Sequence, residues 1–87
     1  MKEKNYYCVH AQFYDGHQSA GMFSKELTEC PKDQLDRKYR MVGVKLWFEQ
    51  EKEARFYEKQ INDKKITLKE IIECFFYDNY ILSRVVA

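Results

Sequence analysis

Val42, Val44, Leu46 and Phe48 alternate with Gly43, Lys45 and Trp47, and the residues that follow, Glu49 to Tyr57, are rich in helix formers with their acids placed early. Period-two spacing commits a strand to one core face. Acids at the start of a helix complement its dipole. The chain therefore passes from strand to helix near Glu49. The expected helix, Gln50 to Ile61, carries Ala54, Tyr57 and Ile61 on one stripe, with Phe56 and Leu46 near its edge, and that stripe is the natural cover for the strand's apolar face.

Upstream, Asn5 to Tyr14 alternates and ends at Asp15-Gly16, a pair in which both positions tolerate positive φ and which commonly closes a two-residue hairpin. Pairing Tyr14 with His17 sets Phe13 against Gln18, Ala11 against Ala20 and Val9 against Met22. Tyr7, Val9, Ala11, Phe13, Ala20 and Met22 then share one apolar face, whereas a slip of one residue destroys the match. The second strand fades near Lys25 to Thr28. Glu29 to Asp33 reads as a loop because Pro31 cannot donate to a ladder. Gln34 to Lys38 is either a helical turn opened by Pro31 or the lead-in to a third strand from Tyr39 to Phe48.

Downstream, Asn62 to Lys65 ends the first helix with lysines near its negative end. Thr67 and Glu70 have capping-box spacing, and Ile66 and Ile71 sit at the two ends of a hydrophobic staple, so a second helix starts here. Its apolar face is Leu68, Ile71, Ile72, Phe75 and Phe76, and Asp78-Asn79 is a stop signal. Tyr80 to Val86 continues that helix or returns as an edge strand.

The chain has 87 residues, enough for a single globular domain over residues 1–87 that buries about 60% of its unfolded surface. A formal charge of +1 supplies no global field toward nucleic acid or an anionic membrane. No apolar run approaches the roughly 20 residues that span a bilayer, and no signal-peptide core follows Met1 to Asn5, which implies a cytoplasmic location. Cys8, Cys30 and Cys74 are odd in number and far apart, as free thiols are.

The register also defines the opposite sheet face: Tyr6, Cys8, His10, Gln12, Tyr14, His17, Ser19 and Phe23, with Tyr39, Met41, Lys45 and Trp47 from the third strand. That face is too aromatic for a purely solvated one. Either the second helix or the C-terminal segment covers it as a second core layer, or it is an interaction surface. Candidate partner-binding residues are Tyr6, His10, Tyr14, Phe23, Lys45 and Trp47, for a protein partner or for self-association. Single-stranded nucleic acid stacked on Tyr6, Tyr14 or Trp47 with Lys45 and Arg40 near the phosphates is the alternative, with the even charge balance against it.

Cys8 and His10 share a face, but His17 lies roughly 13 Å further along the strands, which disfavours one zinc site holding both histidines. A Cys8-His10 nucleophilic dyad lacks a visible orienting group and oxyanion site. Glu49, Glu51 and Glu53 fit an acidic helix start better than an acid-base pair. No phosphate loop, cofactor motif or membrane-surface stripe is present in the sequence.

The expectation is therefore an α+β domain, a three-stranded antiparallel meander with two helices on one face. A ferredoxin-like β-α-β-β-α-β order, with Ala54 to Ile61 recast as a strand, is the alternative. The expected role is a small non-catalytic adaptor or inhibitor that occludes a partner protein. Such a compact, motif-free domain suits a phage or mobile-element accessory protein.

Overall fold

A computed structural model describes residues 2–76 of the chain. Strands β1 (Lys4–Tyr14), β2 (His17–Leu27), β3 (Gln34–Lys38) and β4 (Met41–Phe48) form one antiparallel sheet, followed by helices α1 (Glu51–Asn62) and α2 (Leu68–Phe75). The class is α+β, as the sequence implies. The sheet has four strands rather than three, and their order, β2-β1-β4-β3, is not that of a simple meander.

The first hairpin forms in the expected register, with Tyr14 opposite His17, Ala11 opposite Ala20 and Val9 opposite Met22. Its turn residues Asp15 and Gly16 take φ 45° and 80°, the left-handed pair a two-residue hairpin favours. The departure lies further on. Gln34–Lys38 is neither a helical turn nor a lead-in but a strand in its own right, and β4 begins at Met41 after a two-residue turn at Tyr39-Arg40. Two facts hide this in the sequence. Leu35 is the only apolar residue of β3, so no alternation marks it, and the turn contains no Gly, Asn or Asp: Tyr39 itself takes φ 55°.

β4 pairs with β1 rather than β2, setting Val9 against Leu46, Ala11 against Val44 and Phe13 against Val42. β1 is the better central strand because, over the stretch that pairs with β4, its inward residues Tyr7, Val9, Ala11 and Phe13 are all apolar, while those of β2 opposite them include Gln18 and Ser24. The ferredoxin-like order is also excluded, since Gln34–Lys38 is a strand and Ala54 to Ile61 lies within a helix. The expected stop at Asp78-Asn79 and the expected segment Tyr80 to Val86 fall outside the described residues.

Both helices lie on the apolar face. Val9, Leu46, Ile61 and Ile71 are wholly buried in one cluster that includes Ala11, Phe13, Val44, Phe48, Ala54 and Phe76. Phe48, Tyr57 and Phe75 close one side of it, Phe48 stacking on Tyr57 at 5.3 Å and meeting Phe75 edge-on at 5.9 Å. The capping box is formed as its spacing requires: the Thr67 hydroxyl accepts the Glu70 N–H at 3.2 Å, and the Glu70 carboxylate accepts the Thr67 N–H at 2.9 Å. The Glu51–Arg55 pair is also formed, on an exposed surface where it contributes a few tenths of a kcal/mol at most.

Polar side chains fix the helices to the edge of β2. The Gln18 amide donates to the carbonyls of Ile61 and Ile66 at 2.9 and 2.8 Å, tying the strand to both ends of the α1–α2 connection. The Asn62 amide imitates a neighbouring strand: its oxygen accepts the Ala20 N–H at 2.8 Å and its nitrogen donates to the Ala20 carbonyl at 3.0 Å. The sheet edge is thereby closed at that residue, where an unpaired backbone would otherwise invite another strand. Lys64, left-handed at φ 56°, extends its ammonium to the Gly16 carbonyl at 3.3 Å and so ties the end of α1 to the hairpin turn.

Replacing Asn62 with Ala removes both bonds to an edge that water can re-solvate, so Asn62→Ala is expected to cost about 1 kcal/mol. Leu46→Ala, which empties a site at the centre of the core, is expected to cost about 2 to 5 kcal/mol. Urea denaturation of the two variants beside the parent measures both, and equal costs would contradict this division between edge and core.

Candidate functional site

The outer face of the sheet, away from the helices, is ordered by the two registers into rows. One row runs Phe23, Cys8, Trp47; the next Gly21, His10, Lys45, Gln34; the next Ser19, Gln12, Gly43, Asp36; and the last His17, Tyr14, Met41, Lys38. Of the two covers expected for this face, the second helix is excluded, because α2 packs on the opposite side, and the C-terminal segment lies outside the described residues.

Cys8 lies between Phe23 and Trp47. Their strands are two spacings, about 9.5 Å, apart, yet the ring centroids are 5.6 Å apart at 89°. The two rings therefore lean toward each other across Cys8, which is fully buried. Burial pushes its thiol up from 9.0 to about 11, with the Asp33 carboxylate adding to the shift and the Lys45 ammonium opposing it. Such a thiol is neutral at physiological pH and is the reverse of an activated nucleophile. Asp33 belongs to the 28–33 connection, which links the two edge strands, and its carboxylate accepts the Trp47 N–H at 2.8 Å just beyond the start of β3. Burial raises the Asp33 carboxyl above its usual range, and that backbone hydrogen bond works against the shift.

His10 continues the aromatic row, 5.8 Å from Phe23. It rests over Gly21, where an added Cβ would stand 2.8 Å from the imidazole Cε1 and Nε2. Gly21 thus admits the ring against the backbone of β2. Gly43 has a different role. A Cβ there would meet nothing closer than 3.9 Å, so its missing side chain leaves a gap in the face. That gap is the floor of an open depression of about 400 Å³, walled by His10 and Phe23 on one side, Gln34 and Asp36 on the other, with Gln12 and Lys45 reaching into it.

The six sequence-derived residues separate on exposure. Tyr14 is 51% exposed and Phe23 39%, His10 and Lys45 are exposed, and Trp47 is half-buried. Tyr6 is only 5% exposed, with the Lys4 ammonium 5.3 Å from its ring centroid, and it presents almost no surface to a partner. Gln12, Gln34, Asp36 and Gly43 complete the depression; the sequence signal for it is a glycine inside a strand, which marks a close approach or a gap. Among the described residues no three His, Cys, Asp or Glu side chains converge as metal ligands. Among them, too, no helix is long and apolar enough to cross a membrane. No protein-family model, curated protein or solved structure matches the chain.

At pH 8 iodoacetamide is expected to label the exposed Cys30 and Cys74 and to spare native Cys8. Because the folded thiol titrates above the unfolded one, its contribution to stability is complete below the ordinary thiol range and is lost as pH rises from about 9 to about 11. The stability difference between the parent and Cys8→Ala should narrow over that interval in pH-dependent urea melts. Trp47→Ala is expected to cost about 2 kcal/mol, below the roughly 3 to 5 of a wholly buried aromatic, because one side of the indole faces solvent.

Proposed function

We propose that this chain is a non-catalytic protein-interaction module, an adaptor or an inhibitor that occludes its partner, and that it binds through the outer face of the sheet. The observation that carries this reading is the continuous row His10, Phe23, Trp47 beside an open, polar-lined depression. Aromatic anchors beside a pocket with a few directed polar groups make the pattern of an interaction hot spot. The face measures about 25 by 15 Å from the strand rise and spacing, a scale that suits a protein partner or a second copy. The buried, protonated Cys8 thiol lies beneath this surface as packing, and its part in the proposal is to hold Phe23 and Trp47 apart at the base.

Single-stranded nucleic acid on this same face has weaker support. Tyr6 is buried, and Asp36 shares the depression with Lys45.

A photoreactive phenylalanine analogue at position 23 tests the proposal, with one at Arg55 on the exposed side of α1 as control. Adducts are expected from position 23 alone, and they should vanish when Tyr14→Ala and Lys45→Glu are added. Identical adducts from both positions would refute the assignment of this face. Light scattering at two concentrations about tenfold apart identifies the partner as a second copy if the mass doubles.

A further inference from the structure

We propose that the tip of the β3–β4 hairpin, Lys38 to Met41, is a contact for single-stranded nucleic acid, with a base laid on Tyr39 and the phosphates drawn to Lys38 and Arg40. This goes beyond the outer-face reading and stands on the turn residues Tyr39 and Arg40, which lie past the last row of that face.

The first observation is Tyr39 itself. It occupies the first central position of the turn at φ 55° and is 99% exposed. A bulky residue is disfavoured in the left-handed region, where Gly or Asn serves at lower cost. The ring buries nothing, so the fold gains nothing from it. A strained residue that does no work in the fold points to work outside it. Beside it the Arg40 guanidinium lies 5.7 Å from the ring centroid, so a flat aromatic and a flat cation project together from the tip.

The second observation is the distribution of charge. The two hairpin turns lie at the same end of the sheet, because Tyr14 pairs with Met41. The Lys64 ammonium reaches Gly16 in the first turn and brings the end of α1 to that same end. Lys38, Arg40 and Lys64 lie at that end, with Asp15 and Asp63 beside the first turn and the end of α1 and with Asp36 two residues back along β3. The ion pairs Lys4–Glu49 and Arg55–Glu51 involve residues at the opposite end of the sheet and on the first turns of α1, and neither Lys38 nor Arg40 has a carboxylate partner among the described residues. A formal charge of +1 for the whole chain is therefore compatible with two unpaired cations, Lys38 and Arg40, flanking Tyr39 among the described residues.

The shape of the tip selects among anionic partners. It is a convex, two-residue projection, far short of the roughly 800 Å² that each side of a standard protein interface contributes. One stacked base needs only one ring face, and single strands alone present free base faces. Cations beside an exposed ring therefore fit a single-stranded nucleic acid better than an acidic protein or a duplex.

The test is fluorescence anisotropy of a fluorescein-labelled oligothymidylate of about 20 nucleotides, titrated with the full chain. Saturable binding is expected. With about two phosphate contacts it should weaken about sevenfold between about 50 and about 200 mM salt. Tyr39→Gly should weaken binding at least about fivefold with the same salt dependence. The fold of that variant should be as stable as the parent or more so, because glycine accepts φ 55° without strain. Arg40→Glu with Lys38→Glu should weaken binding and flatten its salt dependence, and Phe23→Ala should leave it unchanged, which separates this contact from the outer face. The proposal is overturned by any of these results: no binding at low salt, equal affinity in Tyr39→Gly, a duplex bound as tightly as the single strand, or poly-glutamate competing as well as the oligonucleotide.

Discussion

The pairing of β4 with β1 is the interaction on which the rest of this structure depends. It closes a large sequence separation, sets Val9 against Leu46 and Ala11 against Val44, and so assembles the apolar face that α1 and α2 cover. The same register fixes the other side of the sheet. It is because Cys8 stands opposite both Phe23 and Trp47 that the two rings can close over it, and because Gln12 stands opposite Gly43 that the depression opens where it does. A shift of one residue would exchange the two faces.

With β1 at the centre, β2 and β3 become the edges, and each is managed differently. β3 is short and polar, with Asp36, Arg37 and Lys38 in a five-residue strand, a composition that discourages pairing with another chain. β2 is longer and is held by side chains from the helical layer. Asn62 takes the place of a strand at Ala20, and Gln18 reaches two carbonyls of the α1–α2 connection. These polar contacts fix where the helices end relative to the hairpin, a placement that apolar packing alone leaves free to slide.

What could be read from the sequence followed the strength of local signals. Asp15-Gly16 with alternation on both sides specifies a hairpin and its register, and Thr67 with Glu70 specifies a helix start, because each rests on interactions among residues close in sequence. The second hairpin was illegible for the converse reason. Its turn is Tyr39-Arg40, which carries no turn chemistry, and β3 has a single apolar residue because an edge strand beside a covered β4 needs little more. The choice of β1 over β2 as the neighbour of β4 is a tertiary matter: the alternation of Val42 to Phe48 fits either, and what decides it is the fuller set of inward apolar residues on β1. Parity alone places the outer-face residues that lie in strands, while Tyr39, expected on that face as part of the third strand, stands in the turn before β4. Parity does not give exposure, since Tyr6 and Cys8 are buried by neighbours that no periodicity reveals.

The two faces of the sheet differ in how much of their surface the fold consumes. The inward apolar residues Val9, Ala11, Phe13, Val44, Leu46 and Phe48 enter the core, and Val42 packs against its edge. Glu51 and Glu53 stand in the first turn of α1, near the Lys4–Glu49 end of the sheet, and Lys59 in its last turn, near the hairpin turns, as the helix dipole favours, with Lys52 and Glu58 in the reverse places. The helix thus contributes only a slight sorting of charge along its own axis. The cations of the second hairpin join Lys64 at the C-terminal end of α1, and Tyr39 projects between Lys38 and Arg40. A nearly neutral composition is thus compatible with local clusters of one sign, and the net charge of a small α+β domain is a poor guide to what a single projection can attract.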